Sequence, residues 1–183
     1  MRHGRRMVTG AARVTRRMTL LEAATKADEL AQSGAERELA TLRQQWDEEV
    51  EAAARSSDYR ERAVAYRSIG LFRFRQKIEL LRRGLDDESQ AARGSALVSV
   101  QLLSKGNPGI VNQLRPVLHT LATADPNQAV RRLAIVCLRN GSPQRETVVL
   151  LNGLAEDDEQ EPELRNAARA VAGDLRKRAG AKL

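Results

Sequence analysis

The chain has 183 residues and is basic, with 31 lysines and arginines against 24 acidic residues and a formal net charge of +7. Hydrophobic residues make up 42% of it, which excludes a disordered chain, and no apolar stretch approaches the roughly 20 residues that span a bilayer. Its single cysteine, Cys137, excludes an intrachain disulfide and a thiolate metal cage, and a lone thiol is typical of a reducing, cytoplasmic location.

The first 18 residues contain six arginines and no acidic residue. They lack the apolar centre of a secretory signal, so we do not expect export. Their composition is compatible with a transit peptide, with a basic arm that contacts nucleic acid or another anionic surface, and with an unstructured leader. We predict a disordered basic tail over residues 1–18 and a disordered C-terminus over residues 179–183.

Two helices are predicted between residues 19 and 56. Thr19 and Glu22 form a capping box, so a helix should begin there and end before Gly34. A second helix is predicted over residues 35–55, where apolar residues recur at steps of three and four. Its other face is acidic, with Glu36, Glu38, Asp47, Glu48, Glu49 and Glu51. We expect this pair to form a helical hairpin or arm.

An Arg-x-x-Ala pattern recurs from residue 57 onwards. Its arginines are Arg62, Arg93, Arg131 and Arg165, at gaps of 31, 38 and 34 residues. A period of this size indicates stacked helix pairs, because a lone pair cannot bury its apolar face.

Prolines at positions 108, 126, 143 and 162 mark the predicted helix starts, since proline suits the first helical turn. First helices of each pair are predicted over residues 58–71, 88–104, 126–139 and 162–177. Second helices are predicted over residues 74–84, 108–123 and 143–156. Pro116 should kink its helix or delay the start of that helix to Arg115.

The segment 125–138, DPNQAVRRLAIVCL, resembles a HEAT-like repeat of the short bacterial type, as does the segment 87–96, DESQAARGSA. Residues 161–168 follow the same pattern, and residues 58–65 follow it loosely. The resemblance covers residues 57–178, about three and a half units. It implies an all-α fold, a right-handed, armadillo-like α-solenoid preceded by the N-terminal hairpin or arm.

The resemblance also implies roles for individual residues. Asp87 with Arg93, and Asp125 with Arg131, would belong to an Asp–Arg ladder that joins one repeat to the next. The habit of the fold is recognition of another macromolecule along a groove lined by the second helices. Arginines outside the ladder are therefore the candidates for binding.

We find no motif typical of catalysis or of cofactor binding. The two histidines, His3 and His119, lie far apart, and no ligand spacing for a metal is present. Glycine-rich phosphate loops and nucleophile elbows are also missing from the sequence. We therefore expect no enzymatic activity, no cofactor and no metal.

Residues 71–83, LFRFRQKIELLRR, interleave Phe72 and Phe74 with cations, and residues 59–83 hold eight basic and two acidic residues. Three interpretations stay open. The phenylalanines can be core, with the arginines solvated or paired with the acidic helix over residues 36–51. The run can also bind an acidic protein, or it can bind nucleic acid through phosphate contacts and stacking.

We expect a non-enzymatic scaffold or adaptor that binds another macromolecule through the second-helix groove, with an acidic protein as the leading candidate. The alternative is a nucleic-acid-binding solenoid that uses the basic run 73–83 and the N-terminal tail. His119 is a weaker addition to the candidate contact residues. Those residues are Arg73, Arg75, Arg82, Arg83, Arg115 and Arg145.

Overall fold

The computed structural model describes residues 18–180, and over that range it contains helices and connecting turns without any β-strand. This confirms the predicted all-α fold class. The tail predicted over residues 1–18 lies outside the described range except for Met18. Of the C-terminus predicted over residues 179–183, only Ala179, the last residue of α9, and Gly180 are described. The helices are α1 (Leu20–Ser33), α2 (Glu36–Ala53), α3 (Tyr59–Leu71), α4 (Ile78–Leu85), α5 (Gln90–Ser104), α6 (Pro108–Ala124), α7 (Gln128–Leu138), α8 (Arg145–Glu156) and α9 (Pro162–Ala179).

Local signals define both ends of α1. The Thr19 backbone N–H donates to the Glu22 carboxylate at 2.8 Å, and the Glu22 N–H donates to the Thr19 hydroxyl at 3.3 Å. This is the predicted capping box, which satisfies N–H groups that have no partner inside the helix. The helix ends at Gly34, whose φ of 73° is the left-handed conformation that glycine adopts without strain.

The later helices pack in two series. Helices α3, α5, α7 and α9 contact one another in chain order, and so do α4, α6 and α8. Each member of the second series also contacts the next member of the first, as α6 contacts α7. One apolar core follows this arrangement from Leu20 on α1 to Leu175 on α9. None of the helices between residues 18 and 180 is long and apolar enough to cross a membrane.

Several predicted helix starts need correction. Helix α4 begins at Ile78 and not at residue 74, because Phe72 and Phe74 both turn into the core and stack, with ring centroids 5.2 Å apart. Arg73 between them has a φ of +59°, a left-handed conformation that interrupts the helix. Helices α7 and α8 begin at Gln128 and Arg145, each two residues after the proline that was expected to start it. Helix α5 begins at Gln90, two residues after its predicted start.

Pro116 does not delay the start of α6. The helix begins at Pro108, where the missing N–H of proline costs nothing, and it continues through Pro116 to Ala124. The side chain of Pro116 is exposed to solvent. The alternative prediction, that α6 begins only at Arg115, was therefore wrong.

Helices α3 and α5 are in close contact at Gly70. A Cβ added to this glycine would lie 2.7 Å from the Cα of Ser99, so only glycine fits without displacing α5. The Gly70 N–H donates to the Ser99 hydroxyl at 3.0 Å, and that hydroxyl donates to the Tyr66 carbonyl at 2.5 Å. The close approach and the hydrogen bonds fix how the two helices are seated.

Candidate interaction surface

Two buried Arg–Asp pairs join successive helices of the first series. Arg62 on α3 donates from Nε and Nη2 to both carboxylate oxygens of Asp87, at 2.7 and 2.8 Å. Arg93 on α5 binds Asp125 in the same way, at 2.6 and 3.0 Å. Each aspartate also accepts the backbone N–H two residues further along the chain, from Ser89 and Asn127 respectively.

Each ion pair joins the arginine in the first helix of one helix pair to the aspartate that precedes the first helix of the following pair. Three of the four residues assigned to the ladder, Asp87, Arg93 and Asp125, lie in these pairs. Hydrogen bonds from Arg62 hold the pKa of the Asp87 carboxyl below its ordinary value of 3.8. Arg131 differs, because its Nε donates to the Ala122 carbonyl at 3.0 Å and it forms no salt bridge with any residue from 18 to 180.

Two of the five cations in the basic run 73–83, Arg73 and Lys77, are committed to ion pairs within the chain. Phe72 and Phe74 are 0% and 1% exposed, so neither ring is available for stacking on a base. Arg73 pairs with Asp28 of α1 at 2.8 Å. The ammonium group of Lys77 lies against the Phe74 ring and pairs with two carboxylates of α2, those of Asp47 at 3.0 Å and Glu51 at 2.7 Å.

Of the contact residues predicted within this run, Arg75, Arg82 and Arg83 therefore remain as candidates. Arg75 is exposed and lines a cleft with Glu36 and Arg43, beside the turn between α1 and α2. Arg82 donates to the Gln113 carbonyl of α6 at 3.0 Å, and Arg83 is exposed. Only the last two lie on α4.

We call the outward faces of α4, α6 and α8 the second-helix surface. Its centre, on α6, is uncharged, and its α8 portion carries Val149, which is 62% exposed. Its two ends carry charges of both signs, with Arg82, Arg83 and Glu79 on α4 and Arg145 and Glu146 on α8. Arg82 and Glu79 are paired at 3.4 Å. The exposed side chains of α6 that form the centre are Gln113, Pro116, Thr120 and Thr123.

Arg115 does not belong to this exposed surface, although it was predicted to contact a partner. It is 5% exposed and lies between α6 and α8. Its guanidinium donates to the Thr147 hydroxyl and the Ser142 carbonyl, both at 2.9 Å, and to the Asn112 side chain. Among residues 18–180 no carboxylate pairs with it, and its buried Nε has no hydrogen-bond partner. Burial lowers the pKa of Arg115.

His119 lies one turn further along α6 and is 12% exposed. Its Nε2 is 3.0 Å from the Thr147 hydroxyl, and its Nδ1 is 4.0 Å from a carboxylate oxygen of Glu146. Burial lowers the pKa of His119, and the Arg115 cation lowers it further, while Glu146 opposes them. His119 and Arg115 together fasten α6 to α8.

The basic end of α9 was not among the predicted contact sites. Arg176, Lys177 and Arg178 follow one another there, and the last two line a cleft with Arg139 from the end of α7. The signal was present as three consecutive cations, but cations also favour a helix C-terminus through the helix dipole. Sequence alone did not indicate that Arg139 would join them.

Comparisons with known proteins add no family. No protein-family model matches the chain, and no curated protein matches it. Within residues 18–180 there is also no group of three or more histidine, cysteine, aspartate or glutamate side chains that could hold a metal ion.

Proposed function

We propose that the chain is a HEAT-like helical-repeat adaptor that binds another protein through the second-helix surface and catalyses no reaction. The two series of helices support a solenoid arrangement. So do the equivalent pairs Arg62–Asp87 and Arg93–Asp125, which recur at the same place in successive helix pairs. Fold alone does not define a function, so the surface has to supply the rest.

The continuity of the second-helix surface carries the proposal. Arg82 bonds α4 to α6, while Arg115 and His119 bond α6 to α8, so the three helices present one connected face. Binding surfaces that are already ordered lose less entropy when a partner docks. A protein segment that crosses the three helices would meet a surface whose helices are already bonded to one another.

The chemistry of this surface favours a protein over nucleic acid. Phosphate contacts supply most of the affinity of nucleic-acid binders, so cations should follow the path of the backbone. Here the centre on α6 is uncharged, and Phe72 and Phe74 are buried. We assign the contact with acidic groups of the partner to Arg82, Arg83 and Arg145 at the ends, and apolar and hydrogen-bonding contacts to the centre.

Affinity capture from the source cell tests this assignment. The surface variant Thr120→Arg/Val149→Arg places two long cations on the exposed faces of α6 and α8. The matched control, Ala91→Arg/Ala129→Arg, makes the same change at exposed positions of α5 and α7. We expect a protein that the wild type captures to be lost with the surface variant and retained with the control. Retention of every captured protein by the surface variant would contradict the proposal.

A second variant tests the charged end. Arg82→Glu/Arg83→Glu reverses two charges of α4, and we expect it to lower the affinity for the same partner about tenfold, which corresponds to roughly 1.4 kcal/mol.

The nucleic-acid alternative is tested with a labelled duplex and a labelled single strand at increasing salt. Tight binding that weakens log-linearly with salt would favour that alternative over our proposal.

A further inference from the structure

We propose that a cleft at the C-terminal end of α9 binds a compact polyphosphate group, such as pyrophosphate or the diphosphate of a nucleotide. The cleft lies between the α5–α6 turn, the end of α7 and the last turns of α9, and its volume is about 520 Å³. This inference does not depend on the proposed protein partner. The residues that line the cleft are Ser104, Gly106, Pro108, Arg139, Asn140, Asp174, Lys177 and Arg178.

The cleft has an excess of positive charge. Its lining holds three cations and one carboxylate, that of Asp174. Asp174 is already paired with Arg139, whose Nε lies 3.1 Å from a carboxylate oxygen. Lys177 and Arg178 form no salt bridge with any residue in the described range 18–180. Two positive charges therefore line the cleft without an acidic partner among the described residues, which favours an anionic ligand.

Side chains that cross the cleft hold its walls together. The Asn140 amide donates to the Ser104 hydroxyl at 2.9 Å and to the Gln101 carbonyl at 3.4 Å, which joins α7 to α5. Arg178 donates to the Arg139 carbonyl, which joins α9 to the end of α7. Asn140 and Arg178 are therefore held in place before a ligand arrives, so less entropy is lost on binding.

The size and lining of the cleft select the kind of anion. Its volume lies within the range of about 300–1,000 Å³ that is usual for small-molecule sites, which is more than one tetrahedral anion needs. The lining contains no aromatic ring, so a base would find nothing to stack on. Arginine donates in a fork that matches phosphate oxygens, and lysine adds a compact charge. Recognition would therefore act on linked phosphates.

Titration of the full chain with inorganic pyrophosphate tests the proposal, by calorimetry and by backbone amide NMR shifts at low salt. The cleft variant is Lys177→Gln/Arg178→Gln. The matched control, Arg37→Gln/Arg132→Gln, removes two exposed cations elsewhere and so has the same net charge. Far-UV circular dichroism of each variant checks that the fold is retained.

We expect saturable binding of pyrophosphate by the wild type, with amide shifts concentrated at residues 104–109 and 139–140. The cleft variant should bind about tenfold more weakly, and the control should stay within about twofold of the wild type. ADP as a second ligand distinguishes the source of the phosphates, and equal affinity for both would support recognition of the diphosphate alone. No saturable binding, an equal loss in the control, or equal affinity for sulfate would overturn the proposal.

Discussion

Arg115 is a buried cation whose hydrogen bonds cross from α6 to α8 and whose charge has no paired carboxylate in the described range. We expect Arg115→Ala to lower the free energy of unfolding by about 2–4 kcal/mol, because it leaves a cavity and removes the donors to Thr147 and Ser142. Arg115→Lys should also destabilise, since one ammonium cannot reproduce the planar fork. Urea denaturation measures both.

Arg145→Ala is the control for the Arg115 variants. Arg145 is exposed and starts α8, and we expect its replacement to change stability by less than about 0.5 kcal/mol. Equal stability of the Arg115→Ala and Arg145→Ala variants would show that the buried guanidinium contributes nothing to the joint between α6 and α8.

His119 should make stability depend on pH. Burial and the Arg115 cation lower its folded-state pKa below the ordinary 6.5, so the unfolded chain binds the proton more tightly. Its contribution is therefore fully present above pH 6.5 and is lost as the pH falls from there towards the folded-state pKa. We expect the stability difference between the wild type and His119→Gln to shrink from pH 7.5 to pH 5.5. A difference that stays constant across this range would contradict the shift.

At the scale of elements, the seating of α3 on α5 depends on Gly70. We expect Gly70→Ala to destabilise by about 1–3 kcal/mol, because its Cβ would lie 2.7 Å from the Ser99 Cα and the two helices must separate. Gly173→Ala on α9 is the control, since a Cβ there meets no atom within 4 Å. It should stabilise by about 0.5–1 kcal/mol through helix propensity. Thermal unfolding of the two variants should move in opposite directions.

How far the sequence predicts an element depends on how local its signals are. The ends of α1 follow from the Thr19 capping box and Gly34, both of which act within one turn. The predicted start of α4, at residue 74, was wrong because burial of Phe72 and Phe74 overrides the local helical pattern. Tertiary packing decided that boundary, and no nearby residue signals it.

The roles of the candidate contact residues depend even more on contacts between residues that are far apart in the sequence. Arg73 pairs with Asp28, 45 positions earlier in the chain, and Arg115 bonds Thr147, 32 positions later. Spacing along the sequence cannot distinguish these arginines from the exposed Arg83. The choice between a partner contact and an internal joint is therefore made by helix packing.

At the scale of the whole molecule, each helix pair is stabilised mainly by its neighbours, because the contacts follow chain order. In the proposed solenoid the total stability is approximately the sum of the stabilities of the pairs and of the joints between them. The Arg93–Asp125 pair lies in one of these joints, between α5 and α7. Weakening this single joint should therefore allow the helices after it to unfold separately from the helices before it.

We expect Asp125→Asn to separate the unfolding of α7–α9 from that of the preceding helices. The Asp125 side chain is 2% exposed, and an amide nitrogen in place of one oxygen would face the Arg93 donors. Breaking a buried pair in this way costs about 3–5 kcal/mol. Trp46, the only tryptophan, lies on α2 and reports the N-terminal side through its fluorescence. Far-UV circular dichroism reports all helices.

In the wild type the two signals should change together with urea. In Asp125→Asn, part of the circular dichroism signal should be lost at lower urea than the Trp46 signal, because α7–α9 unfold first. Asp158→Asn, an exposed acid in the turn before α9, controls for the loss of a charge and should behave as the wild type. Coincident transitions in Asp125→Asn would mean that the apolar contacts of α5 and α6 with α7 couple the two sides without the ion pair.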